Sequence, residues 1–369
     1  MKHTMRNIAP GYLCGIMMLG FLATTTVSCK KSYNSPPTPS HEDGINYEQV
    51  NLVADQASAG AVKTDPNLVN PWGIAVSPTG VFWISANHAG VSTVYDTTGN
   101  SLIPAVTIPA PGGGAGAPTG QVFNNTPNFF ITAFGKVSKF IFATEDGTIA
   151  AWGGGPTAFI VGDRSAANAV YKGLAIANTG TANFIYAADF KNGKVDVYDS
   201  TFKYVAGMTL TDPTIPAGFA PFNVKNIGGM LYVTYAKQKG PDNEDDQAGA
   251  GNGYIDIFQP DGTFVKRFAG QGTLNSPWGI AVAGTDFGQG LVSPILVGNF
   301  GDGRINVFQS DGTYVGQLQS APGTPIVIDG LWDLFFPANG VPNVNPYRLY
   351  FTAGPAGENH GLFGYLKLK

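Results

Sequence analysis

The sequence has 369 residues, of which 43% are hydrophobic and 12% charged, about half the usual charged share. That apolar content supports a large core and excludes wholesale disorder. The formal net charge of −4, with no Lys/Arg cluster beyond the N-terminal segment, excludes the positive field that a nucleic-acid binder requires. Fifty glycines and 26 prolines, with no long periodic stretch of Glu, Lys, Leu and Ala, describe an all-β chain rich in tight turns.

The N-terminal residues 1–28 read as a lipoprotein signal peptide. Lys2 and Arg6 precede an apolar stretch over residues 8–27, which ends in Thr26-Val27-Ser28-Cys29. A stretch of about 20 residues also has the length of a membrane span. Pro10, Gly11, Gly15 and Gly20 interrupt it, however, and small residues lead to the cysteine. This resembles a bacterial lipobox with Cys29 as the site of lipid attachment, Thr26 standing where Leu or Val is usual. The other cysteine, Cys14, falls in the removed segment, so no thiol remains for a disulfide, a metal or catalysis. Residues 29–45 are rich in Pro and Ser and read as a disordered, solvated tether. The expected address is the cell envelope, at the outer membrane, with the lipid anchor making the membrane a partner.

From residue 46 to 369 the chain is repetitive. Asn70-Pro71-Trp72-Gly73-Ile74-Ala75-Val76 returns as Ser276-Pro277-Trp278-Gly279-Ile280-Ala281-Val282. Weaker copies centre on Gly120, Gly173, Asn223 and Asp333, which spaces the six units by 47, 53, 50, 56 and 54 residues. Periods near 50 predict propeller blades and not solenoid coils. Within each unit an apolar strand is followed by a strand of alternating character, as in Lys194-Val195-Asp196-Val197-Tyr198 and Tyr254-Ile255-Asp256-Ile257-Phe258. Asp261-Gly262-Thr263 and Asp311-Gly312-Thr313 are turn signals leading to an outermost strand. The last unit supplies only three strands, at about residues 331–336, 347–353 and 362–368. Residues 47–53 form a strand without a blade of their own, and a 3+1 closure of the last blade by that strand removes the open edges of the ring.

Phe142-Ala143-Thr144-Glu145-Asp146-Gly147-Thr148-Ile149, Phe219-Ala220-Pro221-Phe222-Asn223-Val224, Gly298-Asn299-Phe300-Gly301-Asp302-Gly303-Arg304-Ile305 and Phe351-Thr352-Ala353-Gly354-Pro355 together give the chain a family likeness. It resembles exported bacterial proteins related to NHL-repeat propellers, over roughly residues 50–364. The resemblance implies a six-bladed β-propeller of uncharacterised function and carries no catalytic residues with it.

In a propeller, the loops between second and third strands gather at one mouth of the axial channel. Here those loops carry Asn87, His88, Glu145, Asp189, Asn299, Asp302, Glu358 and His360, together with an acidic insertion at residues 242–246. Carboxylates and amides meeting on an axis are able to hold Ca²⁺, which takes roughly six to eight oxygen ligands. The same residue types serve β-turns whatever a protein does, and no ligand spacing here is diagnostic. His88 and His360 are the histidines of the repeat region, and in a closed ring their blades are neighbours, close to Glu358. Trp72, Trp278 and Trp332 recur at the repeat period, which packing requires and stacking on a flat ligand also permits. Nucleophile-elbow, phosphate-loop, His-Glu-x-x-His and CxxC patterns are absent. Two functions follow: a monomeric envelope binding or scaffold module for a glycan, peptide or protein, or a metal-dependent hydrolase, lactonase or lyase with an axial site. A quinone-dependent sugar dehydrogenase would need a cationic channel, and these loops are acidic.

Overall fold

Strands with apolar side chains on both faces dominate the computed structural model, which describes residues 45–369 apart from 285–286, 288–289 and 338–339. In Phe140–Thr144 and Gly253–Phe258 every residue is buried, as a strand must be when other sheets cover both its faces. Among the described residues the helices are two single 3-10 turns, Ala57–Ala59 and Ser165–Ala167. The strands form six radial sheets, a six-bladed β-propeller.

Blade 1 runs outward through Pro71–Val76, Phe82–Ala86, Val91–Tyr95 and Val106–Thr107. Blade 2 uses Pro118–Phe123, Phe140–Thr144, Thr148–Trp152 and Phe159–Asp163. Blade 3 has three strands, Tyr171–Asn178, Asn183–Asp189 and Lys194–Tyr198. Blade 4 comprises Phe219–Ile227, Met230–Lys237, Gly253–Phe258 and Phe264–Gly270, and blade 5 comprises Pro277–Val282, Ile295–Asn299, Ile305–Phe308 and Tyr314–Gln317. Blade 6 takes Leu331–Phe335, Leu349–Ala353 and Leu362–Leu368 from the C-terminal part of the chain. Its outer strand is Tyr47–Ala54, antiparallel to Leu362–Leu368 with Tyr47 opposite Leu368 and Ala54 opposite Leu362. A short strand, Lys63–Thr64, lies outside that one.

Inner strands crowd the axis, and the repeat glycines are there for that reason. A Cβ on Gly120 would stand 2.4 Å from the Leu174 amide nitrogen of blade 3, and one on Gly73 would stand 2.8 Å from the Thr119 carbonyl of blade 2. Register shifts fall at this level between the first and second strands of all six blades, for example between Pro71 and Ile74 and between Pro277 and Ile280. The rest of the core lies between blades, such as Leu52, Ile74, Phe82, Tyr350 and Phe363 between blades 6 and 1.

Residues 1–44, on which the expected signal peptide, the expected lipid attachment at Cys29 and nearly all of the expected tether fall, lie outside the described residues.

Candidate functional site

The residue preceding each repeat glycine, or its Asn or Asp equivalent, is Trp72, Thr119, Lys172, Phe222, Trp278 or Trp332. Inner strands converge on the axis, and so do these side chains. Trp72 stacks on Trp332 with ring centroids 3.4 Å apart, and Trp278 meets both edge-on at 6.0 and 5.8 Å. Phe300 stacks on the Trp332 ring at 3.9 Å. Phe190 and Phe222 complete this buried cluster. The tryptophans therefore pack against one another and plug the channel, out of reach of a flat ligand.

A polar group sits against this plug at the mouth formed by the second-to-third loops. Lys172, only 3% exposed, holds its Nζ 5.2 Å from the Trp72 ring and pairs with Glu145 of blade 2. A second carboxylate, Asp245 from the acidic loop of blade 4, stands 3.6 Å from the same Nζ. Asn87 Nδ2 donates to Glu145 Oε2 at 2.9 Å. Asn70 Nδ2 donates to Glu358 Oε2 at 2.7 Å, and Asn70 Oδ1 accepts from Trp332 Nε1 at 2.9 Å. Asn70 and Glu358 both adopt left-handed backbone, at φ 49° and 67°, a conformation that is uncommon outside glycine and gathers at functional sites.

Electrostatics separate the two glutamates. Burial would raise the Glu145 carboxyl, but the charge and hydrogen bond of Lys172 and the Asn87 amide outweigh it and hold its pKa below normal. Glu358 is raised instead, chiefly by burial. The Asn70 hydrogen bond opposes that rise and the charge of Glu145 adds to it. Burial likewise works against the Lys172 ammonium, but Glu145, Asp245 and Glu358 overcome it and raise its pKa. His88 is exposed on the rim of the same mouth, close enough to Glu145 and Glu358 for any charge on its ring to favour their ionised forms.

Of the residues expected from sequence, Asn87, His88, Glu145 and Glu358 come together, and four do not. Asp189 is fully buried and accepts from the Val170 amide at 3.1 Å and from Asn192 Nδ2 at 2.8 Å. Asn299 accepts from the Asn275 amide, donates to the Thr273 carbonyl at 2.8 Å and bonds Asp302 at 3.1 Å. Asp302 turns back to the Arg304 amide and guanidinium. His360 pairs through Nδ1 with Asp55 at 2.8 Å, on the blade-6 rim. In the acidic loop, Glu244 pairs with Lys191 and Asp245 faces Lys172. Among the described residues no group of three or more His, Cys, Asp and Glu side chains is placed to share a metal ion, and the expected Ca²⁺ is without support. The physical reason is Lys172, whose ammonium already supplies the positive charge that Glu145 and Asp245 face.

Asn70 and Lys172 are missing from the sequence-based set. Lys172 had a legible signal, since it is the one charged residue at a repeat position otherwise held by Trp, Phe or Thr. Asn70 had a weaker one, its place before the repeated Pro-Trp pair.

No family model matches the chain. Two proteins of Acanthamoeba polyphaga mimivirus align with most of it. Uncharacterized protein R648 is 35% identical over 330 residues, which is 86% of this chain and 79% of the relative. Uncharacterized protein L690 is 35% identical over 336 residues, 86% of this chain and 85% of the relative. The chain belongs to the family of these two proteins. This chain shares its fold with a solved virginiamycin B lyase from Staphylococcus aureus, at a TM-score of 0.52 and 12% identity over 88% of this chain and all of that one. A streptogramin B lyase structure covers 88% of this chain and 98% of its own, at a TM-score of 0.50 and 14% identity. Such low identities speak for the fold and not for the chemistry.

Proposed function

We propose that this member of the family is a lipid-anchored binding module of the cell envelope, monomeric, exported by its N-terminal segment and held to the membrane through Cys29. Its plugged mouth takes a glycan. The observation that carries the reading is Glu358: a carboxylate held in left-handed backbone at the mouth, hydrogen-bonded by the Asn70 amide and in no direct ion pair among the described residues, with the buried tryptophan plug behind it. Carboxylate and amide oxygens around a shallow polar mouth suit a ligand rich in hydroxyl donors. The lipobox-like end of the signal segment and the Pro/Ser-rich tether support the address, and the NHL-related likeness supports an extracellular propeller.

The test is a glycan array probed with the purified protein and with Glu358→Gln. A glycan retained by the native protein and weakened in the variant supports the reading; no retained glycan, or one held equally by both, sinks it. Metal analysis after dialysis belongs beside it, since a stoichiometric divalent ion would revive the metal-dependent hydrolase. A metal-free catalytic reading has one observation in its favour: burial lets Glu358 keep its proton to higher pH than usual at the mouth, as a general acid must. Turnover of a bound sugar or lactone, lost in Glu358→Gln, would convert the module into an enzyme. Replacing Cys29 by Ala should release the protein from membranes with the propeller folded, and continued membrane association would overturn the anchor.

A further inference from the structure

Blade 3 lacks the fourth strand that the other blades have, and the gap has an unusual lining. Its third strand, Lys194–Tyr198, pairs inward with Asn183–Asp189. On the outer side the Val197 carbonyl accepts the Val205 amide at 2.8 Å, and after that the following segment leaves the edge. Strand groups alternate sides with a period of two, so the N–H and C=O of Val195 also point outward. Neither makes a hydrogen bond among the described residues, although Val195 is only 4% exposed. At the equivalent position every other blade has a partner: Ser92 faces Val106, Ile149 faces Gly162, Ile255 faces Ala269, the Ile305 carbonyl accepts the Leu318 amide, and Phe363 faces Val53.

The segment that would fill the place is drawn to the next blade. Asp212 pairs with Arg267 on the outer strand of blade 4, and Pro213 and Pro216 deny the segment two ladder donors. A pocket of about 300 Å³ is left behind, lined by Val195, Met208, Leu210, Ile215, Phe219 and Tyr235. The Tyr235 side chain is buried and its hydroxyl makes no hydrogen bond within the described chain. Buried backbone groups left unpaired are rare in folded proteins, and here they line a cavity of ligand size.

We infer that this pocket is a peptide site, in which a short extended segment adds to blade 3 as its missing fourth strand. One residue of the ligand exchanges its N–H and C=O with those of Val195, and its apolar side chain enters between Met208, Leu210 and Phe219. The site is separate from the channel mouth and does not depend on the glycan reading.

A suitable probe is the fluorescein-labelled, amide-capped peptide Ala-Val-Thr-Ile. It copies residues 105–108, whose Val106 stands opposite the blade-1 equivalent of Val195. Fluorescence anisotropy with the full chain should give saturable binding, and hydrogen exchange across residues 193–198 should slow when the peptide is bound. Methylating the valine nitrogen of the peptide removes the donor and should weaken binding about fivefold or more. Thr209→Trp, at an exposed position on the pocket wall, should abolish binding while the far-ultraviolet spectrum stays native. Absence of saturable binding, equal affinity for the methylated peptide, or unchanged exchange at residues 193–198 would each overturn the proposal.

Discussion

Lys172 is the residue on which the channel mouth turns. Its ammonium is buried and shared between Glu145 and Asp245, so removing it strands the Glu145 carboxylate near the tryptophan plug. Breaking a buried pair from one side costs on the order of 3 kcal/mol, and Lys172→Met should lower stability in urea by about that much. Adding Glu145→Gln should recover much of the loss, because the uncompensated charge goes with it; if the double variant is no better than the single, the pairing is not what Lys172 contributes. A second residue prediction concerns Asp256, buried between blades beside Arg267. Burial raises its pKa from an ordinary value of about 4 to about 7. Between those values the folded protein holds a proton that the unfolded chain has released, so stability from this group falls as pH rises across that window. Asp256→Asn should flatten the decline of urea stability between pH 4 and 7, and an unchanged slope would show that Asp256 does not cause it. At this scale the sequence was half informative. Loop position marked Asn87, His88, Glu145 and Glu358, but it could not show that Asp189, Asn299 and Asp302 turn back to cap neighbouring backbone, since capping and ligand binding use the same side chains.

At the scale of the strand, the repeat glycines were legible because they recur at the blade period, and their cause is spatial. Inner strands of adjacent blades approach so closely that a methyl group at Gly120 would meet the blade-3 backbone at Leu174, which has no flexible end to move aside. Gly120→Ala should therefore cost about 1–3 kcal/mol, the usual range for overpacking. Gly207→Ala is the matched control, since its added Cβ meets nothing within 4 Å and should change stability by less than about 0.5 kcal/mol. Equal losses at the two sites in thermal melts would mean that lost chain flexibility, and not blade contact, explains the inner glycine. The aromatic recurrence is legible in the sequence as a shared level, which both packing and ligand stacking allow, and the indole contacts decide for packing. Periodicity shows that Trp72, Trp278 and Trp332 share a level, whereas their meeting on the axis depends on a channel narrow enough for three indoles to close. The missing fourth strand of blade 3 was likewise not legible, because residues 203–212 have ordinary strand composition and only the Asp212–Arg267 pair shows where they go.

At the scale of the ring, a six-unit count with a period near 50 residues contained most of the architecture, because stacked blades share one geometry and so one sequence pattern. What holds the ring shut is a contact between parts of the chain remote in sequence. Tyr47–Ala54 lies along Leu362–Leu368, buries Leu52, Val53 and Ala54, and sends the Tyr47 hydroxyl to the Phe287 carbonyl at 2.6 Å. Without that strand the edge of Leu362–Leu368 is a bare row of donors and acceptors beside an opened core, the arrangement that invites edge-to-edge association. A chain shortened to begin at Asp55 should melt at lower temperature than one beginning at Ile45 and should run as higher oligomers in size-exclusion chromatography. A peptide of residues 45–55, added in trans, should pair with the vacant edge and restore both the monomer and part of the melting temperature. A scrambled peptide of the same composition should do neither, because the register opposite Leu362–Leu368 alternates side chains between the blade-5 and blade-1 sides. If the shortened chain stays monomeric with an unshifted melt, the ring is held by inter-blade packing alone and the closing strand is dispensable.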